Sequence, residues 1–93
     1  TNGNIYKSIG FLNGAFNGPY KIYYPNGKIA EDKNFWMDER HGIQRYYSEN
    51  GKLLCQLTYE FGNLSGPSKY FDSNGKLLYT CIYYQDEVIS VTF

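Results

Sequence analysis

Apolar residues return to the same columns of this chain at a fixed interval of 24 residues. Ile5, Ile29, Leu53 and Leu77 form one column, and Phe11, Phe35, Tyr59 and Tyr83 form another six residues later. Ile22-Tyr23, Tyr46-Tyr47 and Tyr70-Phe71 supply two more, side by side. Glycine and polar positions keep the same step: Asn-Gly falls at Asn2-Gly3, Asn26-Gly27, Asn50-Gly51 and Asn74-Gly75, and the column of Gly18, Gly42 and Gly66 ends in Ser90. Self-similarity at such a period marks a repeat architecture in which each unit is one supersecondary element. The runs between turn signals are short and aromatic, so each unit reads as two strands and two turns.

Both turns are predictable in kind. Tyr24-Pro25-Asn26-Gly27, Ser48-Glu49-Asn50-Gly51 and Asp72-Ser73-Asn74-Gly75 suit a type I turn closed by a glycine in a G1 bulge. That closure sets Tyr47 opposite Leu53 and Phe71 opposite Leu77. The other turn is expected near Gly14-Ala15, Asp38-Glu39, Gly62-Asn63 and Asp86-Glu87. It would place Phe11, Phe35 and Tyr59 opposite Gly18, Gly42 and Gly66, each ring covering the backbone of a facing glycine. An odd number of residues is left for the two strands of each unit, so one strand must carry a bulge. Gly18-Pro19 and Gly66-Pro67 are the expected place, because proline cannot donate to a ladder.

The fold class that follows is all-β: a single-layer, elongated and twisted antiparallel meander of stacked β-hairpins, without helix. Stacking gives the repetition its physical reason, since a lone hairpin is marginal in water and three or more units bury a continuous apolar stripe. Residues 1–93 read as one repeat domain, with a partial unit 1–17, units 18–41, 42–65 and 66–89, and a partial end 90–93. The end strands would need polar caps, a partner or further repeats, and homo-association through them is expected as one outcome.

Composition narrows the function classes. Nine basic and nine acidic side chains balance, so no net field draws the chain to nucleic acid, and no nucleic-acid partner is expected. Eleven Tyr, six Phe and one Trp supply area that a thin structure can bury. No stretch reaches the length of a transmembrane helix. The chain opens on Thr1 and lacks an initiator Met, which fits a processed or trimmed product, either cytoplasmic or exported with a removed signal. Cys55 and Cys81 lack CxxC spacing and read as free thiols, with a disulfide between neighbouring repeats as the alternative.

Residues that could carry chemistry are sparse. His41 is the single histidine, in a column shared with Asn17, Ser65 and Ile89, which reads as a surface position. Asp38-Glu39 and Asp86-Glu87 lack the alternating oxygen ligands of a calcium loop. No nucleophile–base pair, metal cluster or cofactor motif stands out, and no enzyme activity is expected.

The columns "YYPNGK", "RYYSENGKL" and "KYFDSNGKL", each followed by an aromatic and then a glycine, resemble the MORN-type repeat in its bacterial variant, found in antitoxin-like and exported proteins. The resemblance spans nearly the whole chain. It implies a scaffold or interaction module built of hairpin repeats in an elongated curved sheet, sometimes placed at membranes. The repeated Gly-x-Trp of eukaryotic members is missing, and Trp36 is the only tryptophan. MORN arrays adjoin the catalytic domain of some phosphatidylinositol phosphate kinases, so a kinase label on a similar chain would be inherited from the repeat. This sequence has no phosphate loop, lysine strand or DFG site, and its Glu60-Phe61-Gly62 stands in a repeat column. "KYFDSNGKLLYT" also resembles the aromatic repeats of choline-binding, cell-wall modules, which cage a quaternary ammonium.

Two sets of residues are candidates for binding. An aromatic ladder of Tyr46, Tyr70, Tyr23, Tyr47, Phe71 and Trp36 could take another protein. Members adjacent in sequence would face opposite sides of the sheet. A basic rim of Lys21, Lys28, Arg45, Lys52, Lys69 and Lys76 could meet anionic lipid weakly, or could simply keep the sheet soluble; Glu49 and Asp72 interrupt it. The expected role is a non-catalytic scaffold for protein–protein interaction, with an envelope-ligand or anionic-lipid module as the alternatives.

Overall fold

A computed structural model describes the backbone of residues 6–12 and 15–93 and the side chains from Asn17 onward. The described residues form one antiparallel sheet of ten strands: β1 (Tyr6–Leu12), β2 (Ala15–Tyr23), β3 (Ile29–Trp36), β4 (Glu39–Arg40), β5 (Gly42–Tyr47), β6 (Leu53–Glu60), β7 (Asn63–Leu64), β8 (Gly66–Phe71), β9 (Leu77–Tyr84) and β10 (Glu87–Thr92). The order across the sheet is β1-β2-β3-β5-β6-β8-β9-β10, with β4 paired to β3 and β7 to β6. The sheet measures 39 × 37 × 14 Å, a slab one layer thick and about as broad along the stacking direction as along the strands.

The Asn-Gly turns close as their sequence predicts. Gly27, Gly51 and Gly75 have φ near +90° and donate to the carbonyls of Tyr24, Ser48 and Asp72 at 2.9–3.0 Å. The amides of Tyr24, Ser48 and Asp72 donate in turn to Lys28, Lys52 and Lys76. A left-handed residue at that point is cheap only for glycine, which has no Cβ to clash. Tyr23 pairs with Ile29, Tyr47 with Leu53 and Phe71 with Leu77, and the residue after each partner (Ala30, Leu54 or Leu78) is the bulged one. The Asn2-Gly3 turn and the turn at Gly14 lie outside the described residues.

The second turn sits one residue earlier than expected. Its central pairs are Met37-Asp38, Phe61-Gly62 and Gln85-Asp86, closed by Trp36–Glu39, Glu60–Asn63 and Tyr84–Glu87. Both central residues of each have positive φ, from 46° to 89°, as a two-residue type I′ turn requires. The aromatic column therefore does not face the glycine of its own hairpin. Phe11 pairs with Phe16, Phe35 with Arg40 and Tyr59 with Leu64. The glycines pair instead with the aromatic of the following strand, Gly18 with Phe35, Gly42 with Tyr59 and Gly66 with Tyr83.

Register also breaks where the glycine column lies. Phe35 pairs with Arg40 but Asp32 with Arg45, so a step of three residues on β3 answers a step of five across β4 and β5. The same break separates Tyr59–Leu64 from Gln56–Lys69. Each unit thus carries two irregularities where one was expected: this break, on the side facing the preceding strand, and the single bulge after the Asn-Gly turn. Gly18, Gly42 and Gly66 hold φ of +88°, +93° and +100° at the break. In the last hairpin, where Ser90 replaces the glycine, the shift between Val88–Tyr83 and Ser90–Ile82 shrinks to one residue. A side chain with a Cβ resists the left-handed backbone that the wider break uses.

A one-layer sheet has no shielded interior. Among the described side chains only Ala30, Gln44, Ser68 and Cys81 are buried. Gln44 and Ser68, the fully buried pair, occupy one repeat column and lie in register with Leu57 and Cys81.

Candidate functional site

One face of the sheet gathers the aromatic residues of alternate positions. Tyr20 packs against Phe35 with ring centroids 5.5 Å apart. Between Tyr20 and Tyr46 lies the Lys33 ammonium, 5.7 and 5.6 Å from the two ring centres and 2.8 Å from the Glu31 carboxylate. An ammonium held between two electron-rich ring faces is a cation–π arrangement that its own carboxylate neighbour completes. Two repeats on, Tyr70 stacks on Tyr79 at 4.9 Å, and its hydroxyl lies 3.2 Å from that of Tyr83. Burial, and then the bond to Tyr83, push the Tyr70 phenol well above its ordinary value. Burial raises Tyr46 as well, against the pull of Lys33 and Arg40. Of the expected ladder, Tyr46 and Tyr70 are therefore engaged within this face. Tyr23, Tyr47 and Phe71 are half-buried beside the Asn-Gly turns, where the Tyr24 hydroxyl donates to the Tyr47 carbonyl at 2.6 Å. Trp36 stands apart at the opposite rim, 52 % exposed.

The six basic candidates fall into two rows with different surroundings. Lys28, Lys52 and Lys76 are exposed at the Asn-Gly rim. Lys28 reaches the next turn, its ammonium 3.4 Å from the Asn50 carbonyl, while Asn26 donates to the Glu49 carbonyl at 2.8 Å. Lys21, Arg45 and Lys69 lie inside the sheet in register with Asp32, Gln56 and Thr80. Arg45 also donates to Gln56 Oε1 at 2.9 Å. The inner row is thus interleaved with polar and acidic partners and is not a bare stripe of charge.

Cys55 and Cys81 are both free. They sit on β6 and β9 with β8 between, so their Cα atoms are about 10 Å apart or more, beyond the roughly 7 Å that a disulfide spans. Burial raises the Cys55 thiol above its ordinary value. Among the described residues, no three His, Cys, Asp or Glu side chains come together as a metal centre would need.

His41 has a definite task. Its Nδ1 accepts the amide of Phe61 at 3.1 Å, and its ring lies 4.6 Å from the Phe61 ring. One repeat earlier, Asn17 Oδ1 accepts the amide of Met37 in the same way. In these two repeats the column lends an acceptor to the first residue of the next two-residue turn. The sequence signal was present in the acceptor-bearing Asn17 and His41, but only the pairing of neighbouring turns gives it meaning.

Pattern reading missed the residues at those turns. Met37 and Phe61 occupy left-handed positions that favour Asn, Asp or Gly, and both are exposed, Phe61 by 54 %. Tyr84, in the column of Trp36, is 62 % exposed.

An open sheet of stacked hairpins with rows of rings along it is a β-repeat module. The chain belongs to the family described as the MORN repeat variant, whose family model matches three consecutive stretches, residues 16–37, 40–61 and 64–86. Members are generally non-catalytic modules that commonly bind membranes or proteins. No curated protein and no solved structure gives a significant match to the chain.

Proposed function

We propose that this chain is a non-catalytic scaffold that presents its sheet to another protein. The observation that carries the reading is the open slab: with a single layer, aromatic columns run across strand after strand while remaining partly accessible. Tyrosine and tryptophan suit such a surface, since each offers an apolar body and a polar tip at little entropic cost. Tyr23, Tyr47 and Phe71 are the better candidates for contact than Tyr46 and Tyr70, whose rings serve Lys33 and Tyr79.

The test compares wild-type protein with a Tyr47→Ser/Phe71→Ser variant as baits in a lysate, with circular dichroism confirming that both are folded. Partners captured by the wild type and lost by the variant support the scaffold reading. Capture unchanged by the variant removes this aromatic row from it. A chain that captures nothing yet binds phosphatidylserine vesicles at low salt, and lets go at high salt, is a lipid module acting through its lysines.

A further inference from the structure

The rim of two-residue turns combines exposed rings and one sign of charge. Among the described residues, 36–39, 60–63 and 84–87 form three successive turns along it. They contain five carboxylates and no basic side chain. They also expose Trp36, Met37, Phe61 and Tyr84. Turns of this kind elsewhere are built from small polar residues, because a bulky side chain at positive φ costs about 1–2 kcal/mol. A chain that places Met37 and Phe61 there accepts that cost without burying either side chain.

Hydrogen bonds tie the turns into one surface. Gly62 N donates to the Arg40 carbonyl at 2.8 Å, and the Glu39 carboxylate lies over Gly62. Asp86 N donates to the Leu64 carbonyl, and Leu64 N donates to Asp86 Oδ1 at 2.8 Å. Beside the rim the Arg40 guanidinium lies 5.5 Å from the centre of the Tyr59 ring, and the His41 ring is tilted against that of Phe61 at 4.6 Å. The lysines of the Asn-Gly turns are at the opposite edge.

We infer that this rim is a docking surface for an extended, lysine- or arginine-rich polypeptide segment, with Trp36, Met37, Phe61 and Tyr84 taking its apolar groups and stems and the carboxylates its charges. The inference rests on the scaffold reading and names the partner's chemistry. Charge complementarity selects the occupant: an acidic surface repels anionic lipid and nucleic acid and attracts a basic chain. Exposed rings add cation–π contact and cover the aliphatic stems of lysine and arginine. Geometry sets the spacing. Successive turns are two strands apart, about 10 Å, which a peptide in the extended polyproline-II form covers in about three residues while returning every third side chain to the same side. The fitting segment carries a basic residue at every third position.

Trp36, the single tryptophan, reports on the site directly. Titrating the protein with a peptide bearing lysine at every third position among proline and leucine, which holds the extended three-fold form, should shift Trp36 emission to the blue. Its counterpart with glutamate should leave the emission unchanged. The Glu39→Gln/Glu60→Gln/Glu87→Gln variant should weaken binding about tenfold at low salt and flatten its salt dependence. Phe61→Asn separates binding from folding: asparagine tolerates positive φ, so this variant should melt higher than wild type while binding more weakly. The proposal is overturned if both peptides or neither shift Trp36, or if the glutamine variant and Phe61→Asn bind as wild type does. Lysate partners that are lost only with Tyr47→Ser/Phe71→Ser, and kept by the rim variants, would overturn the rim and leave the scaffold reading standing.

Discussion

Asn34 and Thr58 occupy the same column of adjacent repeats, and each faces the break in register beside a glycine. The two breaks share their backbone bonds. The Asn34 carbonyl accepts the amide of His41 at 3.1 Å, as the Thr58 carbonyl accepts that of Ser65 at 3.0 Å. Both side chains reach across to the next strand, Asn34 Nδ2 to the Ile43 carbonyl and Thr58 Oγ1 to the Pro67 carbonyl. They differ in what fills the gap. The amide of Gln44, fully buried, takes the Asn34 N–H on its Oε1 and donates its Nε2 to the Asn34 carbonyl at 2.8 Å. A side-chain amide thus substitutes for the backbone amide that the break removes. One repeat later Ser68 holds that place, equally buried, and its hydroxyl is too short to do the same: Ser68 Oγ has no partner among the described residues. One backbone, repeated, is closed in one copy and left open in the other. Buried polar groups are expensive to leave unpaired, so the second break is the weaker joint of the sheet.

The largest effect expected from this comparison is at the closed break. Gln44→Ala removes both amide bonds and strands the Asn34 N–H, and should lower unfolding free energy by about 2–4 kcal/mol. A loss under about 0.5 kcal/mol in urea denaturation would mean the break tolerates water, and that the amide is incidental. Transplanting the closure is the converse test. Ser68→Gln, opposite the small Cys81, should raise stability by about 1 kcal/mol if its amide reaches Thr58 as Gln44 reaches Asn34. A destabilised variant would show that the second break has closed too tightly to admit the longer side chain.

A smaller difference separates the caps of the two-residue turns. His41→Ala should cost about 1 kcal/mol through the lost Phe61 amide bond and ring contact, while His41→Asn, which copies Asn17, should keep most of it. Equal melting temperatures for the two variants would deny the cap.

Smallest is a pH effect that distinguishes the Asn-Gly turns. Asp72 Oδ1 accepts the amides of Lys76 and Asn74, each within 3.0 Å, where Ser48 Oγ accepts only the amide of Lys52. Those bonds, that from Lys76 first, hold the Asp72 carboxyl below its usual range. A depressed folded-state value means that the stabilisation is present above the usual carboxylate value and is lost as pH falls through the folded one. Asp72→Ser should therefore flatten the acid limb of a melting-temperature profile and change little at neutral pH. An identical acid limb would mean the carboxylate bonds do not matter to stability.

Much of this fold was legible without coordinates, for a local reason. Asn-Gly closure depends on a few consecutive residues, so Tyr47–Leu53 and Phe71–Leu77 could be paired from the string alone. The other turn was placed one residue late because its left-handed positions hold Met37 and Phe61, where the usual signal would be Asn or Gly. That shift took the aromatic column off the glycine across its own two-residue turn, and the bulged Asn-Gly hairpin sets it against the glycine of its own unit instead, Gly18 for Phe35, Gly42 for Tyr59 and Gly66 for Tyr83. Of the candidate site, the residue types were visible but not their engagement. Nothing in the spacing of Lys33 from Tyr20 and Tyr46 announces that one ammonium sits between two rings.

The sequence by itself determined the repeat, its period, the strand content and the glycine-closed turns, because each rests on contacts between residues close along the chain. Tertiary structure alone decided which face each ring joined, where the register broke, and that Gln44 rather than backbone would close the first break. Those outcomes depend on strands from neighbouring units meeting side by side, where a mismatch of two residues has to be absorbed by whatever side chain lies opposite.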